Sequence, residues 1–383
     1  MLSTDYRKFL RSGFSLGKGG KLFQTNERLI LNQIFWGDDI TQRQIIDVTK
    51  FPQQTASRLI KSLLSKGAVV QLTRQSDGSR GQPGYCLEPN PDYAYCFGVS
   101  IYVDSIAIAV VNFKGDVVVS RSYSLDSVSV ENVIRILQDG VKEILEDTGI
   151  CKDNVLGLGF GISGYFQALD GKINTTIDEW ATVDIEKVLA EELSIPVWVE
   201  NDAKAAAAGE SIAGVGRKYS DFVYLYIATG FGGGVIMNGE ILRGAHGNAG
   251  EVAEMLPPKI YLHPNLELLR QILIRNGNEI NTVSDLIKDF DIEWNGIDEW
   301  ISKVKDSLSL VASSSAALLD IKAVVLGGHI PEPLSMKLLE HIEIYAQNRR
   351  SLPRSIPDLV IAQADGDPVA IGAATLPFRA CCL

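Results

Sequence analysis

The spacing of apolar residues changes near residue 90 of this chain. Before it, apolar residues recur at helical intervals in short segments. After it, long apolar runs alternate with amphipathic segments and end in glycines. From Asn26 to Phe35, Leu29, Ile30, Ile34 and Phe35 fall on one face of a helix, which Gly37 and the two aspartates after it end. Thr41 is placed to cap a short second helix that buries Ile45 and Val48. Pro52 suits the first turn of a third helix. Its apolar stripe is Ala56, Leu59, Ile60, Leu63 and Leu64, and Gly67 closes it. The opposite face carries Gln54, Arg58 and Lys61. "AVVQLTR" and "YCLE" then read as the two strands of a hairpin around "QSDGSRGQPG".

Beyond residue 90 the period lengthens into an α/β alternation. "YCFGVSIYVDSIAIAVVNFKGDVV" reads as two adjacent strands with a turn at Lys114-Gly115. Residues 131–147 make an amphipathic helix with Val133, Ile136, Leu137, Val141, Ile144 and Leu145 inward. "NVLGLGFGISGYF" is a buried strand running into a glycine loop. Strands follow in "SIPVWVEND", on both sides of the glycine turn in "DFVYLYIATGFGGGVIMNGEIL", and in "IKAVVLGG". Helices are expected at about 183–193 and in "AKAAAAGESIAG", "DSLSLVASSSAALLD" and "DPVAIGAATL". The pattern predicts a body of two lobes facing a cleft. The expected domains are 1–90 and 91–383, the latter divided into 91–200 plus 366–383 and 201–365.

Composition narrows the function. At 383 residues, two or three domains are expected. No uncharged apolar run reaches the ~20 residues of a membrane helix; the longest candidate, Phe222 to Met237, is broken by four glycines. The polar N-terminus carries Arg7, Lys8 and Arg11 without an apolar signal core, so a cytoplasmic location with no membrane partner is expected. None of the five cysteines forms a C-x-x-C pair, which argues against a disulfide framework or a zinc ribbon. The net charge of −11 divides into +6 over residues 1–88 and −17 over the rest. Only the front end is suited to a polyanion.

Two short helices joined by a tight turn, the later one bearing amide, hydroxyl and basic side chains, match a helix-turn-helix, and the hairpin matches its wing. Glutamine pairs with adenine and arginine with guanine in the major groove. Gln53, Gln54, Thr55, Arg58 and Lys61 are therefore candidate contacts to double-stranded operator DNA, with Arg80 at the wing tip reaching phosphate or the minor groove. A three-helix unit with a solvated polar face, and a plain linker at 79–87, are the alternatives.

Five stretches then carry a resemblance: "VENDAKAAAAGE" (199–210), "ATGFGGGVIMNGEILRGAHGNAGE" (228–251), "VVLGG" (324–328), "IGAA" (371–374), and "LGFGISGYFQALDGKI" with Trp180. In these the chain resembles the ROK family, which groups sugar kinases with sugar-responsive repressors. The resemblance implies an actin-like, ribonuclease-H-like body of the ATPase type, behind a winged helix in the repressor branch. It also implies that Asn201, Asp202 and Glu251 line a sugar pocket, which the loop ending at Gly164 approaches with its backbone. Carboxylates suit that task because each offers two acceptor oxygens to vicinal hydroxyls. In the kinases the residue matching Asp202 removes the proton from the attacked hydroxyl; in the repressors it need only bind. Asp202 also reads as a cap for the alanine-rich helix. His246 lies near this segment in sequence, as a pocket residue or as a solvated or packed histidine.

Two family features are altered. Where the kinases carry an early Asp-x-Gly-x-Thr phosphate turn, this chain has Ser100, Tyr102 and Asp104. Tyr102 adds bulk and Asp104 adds negative charge where a phosphate would sit. The later turn, with Thr229, Gly230, Gly232 and Gly233, persists as a vestigial phosphate loop or a plain strand connection. Glu254 stands where the family has a zinc-binding histidine, and no cysteine follows until Cys381, so no thiolate metal site is expected. Glu254 itself is either a replacement sugar acceptor or a structural residue. These features predict a sugar-responsive DNA-binding regulator, a homodimer or homotetramer, without a cofactor or a catalytic residue. The alternatives are a sugar kinase using Asp202 as base, or a scaffold controlled by another protein.

Overall fold

A computed structural model describes residues 23–37, 39–73, 85–102, 104–167, 173–345 and 355–383. The chain opens with α1 (Thr25–Trp36), β1 (Ile40–Thr41), α2 (Gln42–Thr49), α3 (Gln53–Ser65), β2 (Val69–Thr73) and β3 (Tyr85–Pro89). The strands form an antiparallel sheet in the order β1-β3-β2. Thr41 caps α2, its N–H donating to Gln44 Oε1 at 2.8 Å. Lys50 then adopts the left-handed region at φ 58°, which turns the chain sharply into α3. Gln42 Nε2 donates to Ser57 Oγ at 2.6 Å and joins α2 to α3. Gly67, at φ 74°, ends α3 as expected.

The inward stripe of α1 differs from its expected position. Glu27, Ile30, Leu31 and Ile34 are buried, at i, i+3, i+4 and i+7, while Leu29 is 50% exposed. Val48, expected inside α2, is also exposed; Leu64 is only half-buried, and Pro52 precedes α3 rather than entering it. Glu27 explains the shifted face. Its carboxylate accepts from Lys66 Nζ at 2.7 Å and Ser62 Oγ at 2.6 Å, so a charged residue occupies the seam between α1 and α3. Burial acts to raise its pKa, but the bonds from Lys66, Ser62 and the Gln24 backbone outweigh it and leave the carboxyl below its usual range.

The described residues form two compact units. The first holds the chain up to Ile162, residues 177–200 and residues 373–383. Its sheet contains β4 (Tyr95–Ile101), β5 (Ser105–Asn112), β6 (Val117–Ser124) and β7 (Val155–Ile162), with α4 (Val130–Thr148) between the last two. The run read as two strands is three, because Tyr102 N–H donates to Ser105 O and closes a second turn after β4. The second unit takes residues 163–176, with the hairpin β8 (Gly164–Phe166) and β9 (Ile173–Thr175), and residues 201–372. After α5 (Ile185–Leu193), β10 (Val197–Asn201) completes the first sheet in the order β10-β7-β4-β5-β6.

The second unit continues with α6 (Asp202–Ala213), β11 (Phe222–Ile227), β12 (Phe231–Met237), β13 (Glu240–Ile241), α7 (Leu266–Arg275), α8 (Val283–Lys288), α9 (Ile297–Leu319), β14 (Ala323–Gly328), α10 (Glu332–Leu339) and β15 (Asp358–Ile361). Its sheet order is β13-β12-β11-β14-β15, with β11, β14 and β15 parallel. The reading along the chain passed over α7, α8 and α10. Trp300, Val304 and Leu308 of α9 pack with Leu269, Ile272 and Leu273 of α7 in one core with β11 and β14.

The final helix, α11 (Pro368–Cys381), gives its last nine residues to the first unit. There Phe378 meets Phe113 edge-on at 5.5 Å, Phe113 meets Tyr93 at 4.9 Å, and Tyr93 meets Phe23 at 5.9 Å, just ahead of α1. Arg379 lies over the Trp36 ring at 5.8 Å, and its carbonyl accepts from Arg28 Nη2 at 3.5 Å. The end of the chain therefore packs against α1 and, through Phe113 and Tyr93, reaches the residue just ahead of it. Phe378→Ala is expected to cost about 3–5 kcal/mol through the cavity it leaves, and to speed hydrogen exchange in α1 more than in α9. Thermal unfolding and amide exchange check both.

Candidate functional site

The site is built around the start of α6. Asn201 and Asp202 lie where β10 passes into the helix. Asn201 Oδ1 accepts from Lys204 N at 3.1 Å and caps the helix, while its Nδ2 donates to Gly164 O at 2.7 Å. One side chain thus fixes the helix start and draws the β8 backbone to it. Asp202 Oδ1 accepts from Ala203 N at 2.8 Å. The carboxyl of Asp202 is pushed up to about 6, first by burial and then by the charge of Glu251, against the bond from Ala203.

Two further ties close the site. Lys204, with no exposed surface, extends its Nζ to Gly247 O at 2.9 Å and Glu251 Oε1 at 3.0 Å, and lies 5.9 Å from the centre of the Phe166 ring. Asn248 Oδ1 accepts from Phe166 N at 2.7 Å and its Nδ2 donates to Phe166 O at 2.8 Å, as an added strand would. The loop 243–251 is thereby bonded to α6 on one side and to the β8–β9 hairpin on the other. Gly247 and Gly250 turn it at φ 82° and 91°.

Gly164, Asn201, Asp202 and Glu251 are therefore brought together. His246 is exposed and makes no side-chain hydrogen bond among the described residues; the same holds for Glu254, on the short turn Val252–Met255. Thr229 and Gly230 form the exposed β11–β12 turn. Gly232 and Gly233 lie inside β12, paired with Tyr226 and Leu225. A Cβ on Gly233 would come within 2.7 Å of Val252 and 2.8 Å of the Tyr224 carbonyl, so packing accounts for this glycine without a phosphate. Ser100 is buried in β4, and Asp104 is exposed with Ser105 Oγ donating to it at 3.1 Å. Among the described residues, no three His, Cys, Asp or Glu side chains cluster closely enough to hold a metal ion.

On α3, Gln53, Gln54, Arg58 and Lys61 are exposed and Thr55 is half-buried. Arg80 lies outside the described residues. Lys204, Asn248 and Phe166 were not singled out by sequence reasoning. Lys204 had a visible signal: it is the one long basic side chain in a helix of alanines, "DAKAAAAGE".

Residues 96–260 match the sequence model of the ROK family. Over that stretch the chain is similar to the ROK family. Over 232 residues it is 26% identical to a xylose repressor of Bacillus spizizenii, covering 61% of this chain and 60% of that protein. The chain thus aligns with about 60% of that repressor's length. A crystal structure of a ROK family transcriptional regulator, a homologue of the E. coli MLC protein, superposes with a TM-score of 0.67 at 19% identity over 93% of this chain and 95% of that one. A ROK family glucokinase from Streptomyces griseus, solved with glucose and AMPPNP, superposes with a TM-score of 0.59 at 20% identity, covering 74% and 99%. The fold of the ROK domain is thus that of solved regulators and kinases alike.

Asp202 gives the site a pH signature. Its raised value means the folded protein binds this proton more tightly than the unfolded chain does, near 3.8. Ionisation then opposes folding, and the cost grows as pH rises from about 4 to about 6 and stays constant above. Asp202→Asn keeps the Ala203 bond and removes that cost. Its melting temperature is expected to exceed that of the wild type at pH 7.5 and to match it at pH 4, as read by calorimetry at the two pH values.

Proposed function

We propose that this protein is a carbohydrate-responsive transcriptional regulator, most simply a repressor, which binds operator DNA through α3 and a sugar through the cluster at Asn201, Asp202 and Glu251. The observation that carries the reading is the pairing, in one chain, of an exposed Gln54–Arg58–Lys61 row on the second helix of a helix-turn-helix with that cluster. The basic front end supplies the phosphate attraction, and the acidic body keeps it local. The relatives named as repressors support it. Regulation follows if the sugar binds the DNA-competent and DNA-incompetent states with different affinity. A dimer reading a two-fold operator is the simplest assembly for such a head.

A second reading has one observation in its favour. A carboxyl poised at about 6 beside a sugar site suits a general base, which is what an ATP-dependent sugar kinase would ask of Asp202. Bulk at Tyr102 and charge at Asp104 count against it.

The test is binding of the purified protein to DNA from its own upstream region at fixed salt, with D-xylose or D-glucose added. Specific binding that either sugar alters supports the regulator. Turnover of ATP on the same sugars would move the assignment to the kinase. Arg58→Ala is expected to lose about 1–3 kcal/mol of operator binding, about 5–150-fold, while thermal stability and sugar binding stay unchanged; fluorescence anisotropy measures the loss.

A further inference from the structure

Lys204 is a charged side chain with no exposed surface, set in the first half of α6 among buried alanines. An ammonium at such depth costs several kcal/mol unless its donors are satisfied. Its bonding partners are both in the loop that delivers Glu251: the Gly247 carbonyl and Glu251 Oε1, at 2.9 and 3.0 Å. Methionine or leucine would fill the same volume without a charge to satisfy, so packing alone does not explain a lysine here. A two-point hold explains it. The Gly247 bond sets the loop and the Glu251 bond sets the carboxylate within it. With Oε1 occupied, Oε2 has no protein partner among the described residues and is left to accept from a ligand hydroxyl. The ammonium also stands next to the ring of Phe166, whose backbone Asn248 holds, so loop and hairpin are set by the same pair of ties.

We propose that Lys204 is a positioning residue for the carbohydrate effector: it presents the Glu251 carboxylate in a single orientation to a sugar hydroxyl without touching the sugar itself. This rests on the sugar-binding reading of the site. It extends that reading to a residue that governs how tightly a hydroxyl at the Glu251 position is recognised.

The experiment is a double-mutant cycle on the full chain. Affinities for D-xylose and D-glucose are measured by calorimetry for the wild type, Lys204→Met, Lys204→Gln, Glu251→Gln and the Lys204→Met/Glu251→Gln pair, each with its melting temperature. Lys204→Met is expected to weaken the bound sugar tenfold or more when Glu251 is present and less than threefold when Glu251→Gln is already in place. A lysine with a purely structural role would weaken both backgrounds equally, and that result, or binding by both lysine variants within twofold of the wild type, overturns the proposal. If neither lysine variant folds, the wild type still decides it. The buried ammonium of Lys204 should give a ¹⁵N resonance that shifts when sugar saturates the site, and an unmoved resonance sinks the idea. Failure of the wild type to bind either sugar in calorimetry removes the sugar reading and this proposal with it; unchanged variants beside a binding wild type remove the proposal alone.

Discussion

The close approach of α6 to its neighbours is the constraint on which the rest of the second unit depends. Its residues from Ala203 to Ile212 are all buried. A Cβ on Gly234 would come within 2.6 Å of Ala207, and one on Gly372 would overlap the Ala205 carbonyl. Glycine on β12 and on α11, against alanine on α6, lets backbones meet where larger side chains would stand between them. The helix start is thereby set against β12 and the loop that follows, with no slack in its position.

A helix enclosed in this way can carry charge only where the charge is answered. Its two buried charged residues within that span are both answered by loops. Lys204 reaches Gly247 and Glu251. Glu210 accepts from the backbone N–H groups of Val215, Gln363 and Ala364 at 2.9, 2.7 and 2.6 Å. Each exchanges a lost hydration shell for charge-assisted bonds to main chain. The effect is that α6 locates two loops from its interior: the one that delivers Glu251, and the one that precedes α11. The helix α11 that seals α6 ends against Phe113 and Trp36.

The acidic site and the basic head illustrate how the same chain handles opposite charges. Burial, with the charge of Glu251 beside it, pushes the Asp202 carboxyl up to about 6. Ionising Asp202 therefore carries a cost in the folded chain that it does not carry in water. On α3 the opposite holds. Gln53, Gln54, Arg58 and Lys61 remain solvated, which costs nothing until a partner arrives.

Much of this was legible in the sequence because it is local. The three helices at the start of the chain followed from apolar spacing, the cap at Thr41 and the left-handed glycine at 67. The Asn201–Asp202 pair and Glu251 stood out through the resemblance of their segments to the ROK family, with a helix cap as the local reading of the pair. What the sequence left undetermined was set by distance in the fold. The inward face of α1 moved to Leu31 because Glu27 answers Lys66, 39 residues away. The helices α7, α8 and α10 were passed over although α7 and α8 carry caps at Asn265 and Thr282, because the core they share is assembled from distant segments. Lys204 lies among alanines with nothing nearby in sequence to indicate a partner, since the residues it bonds, Gly247 and Glu251, lie 43 and 47 positions later. Local preference writes elements and their ends into a chain; which charged groups meet in its interior is decided by packing, because only burial makes the pairing of one with another obligatory.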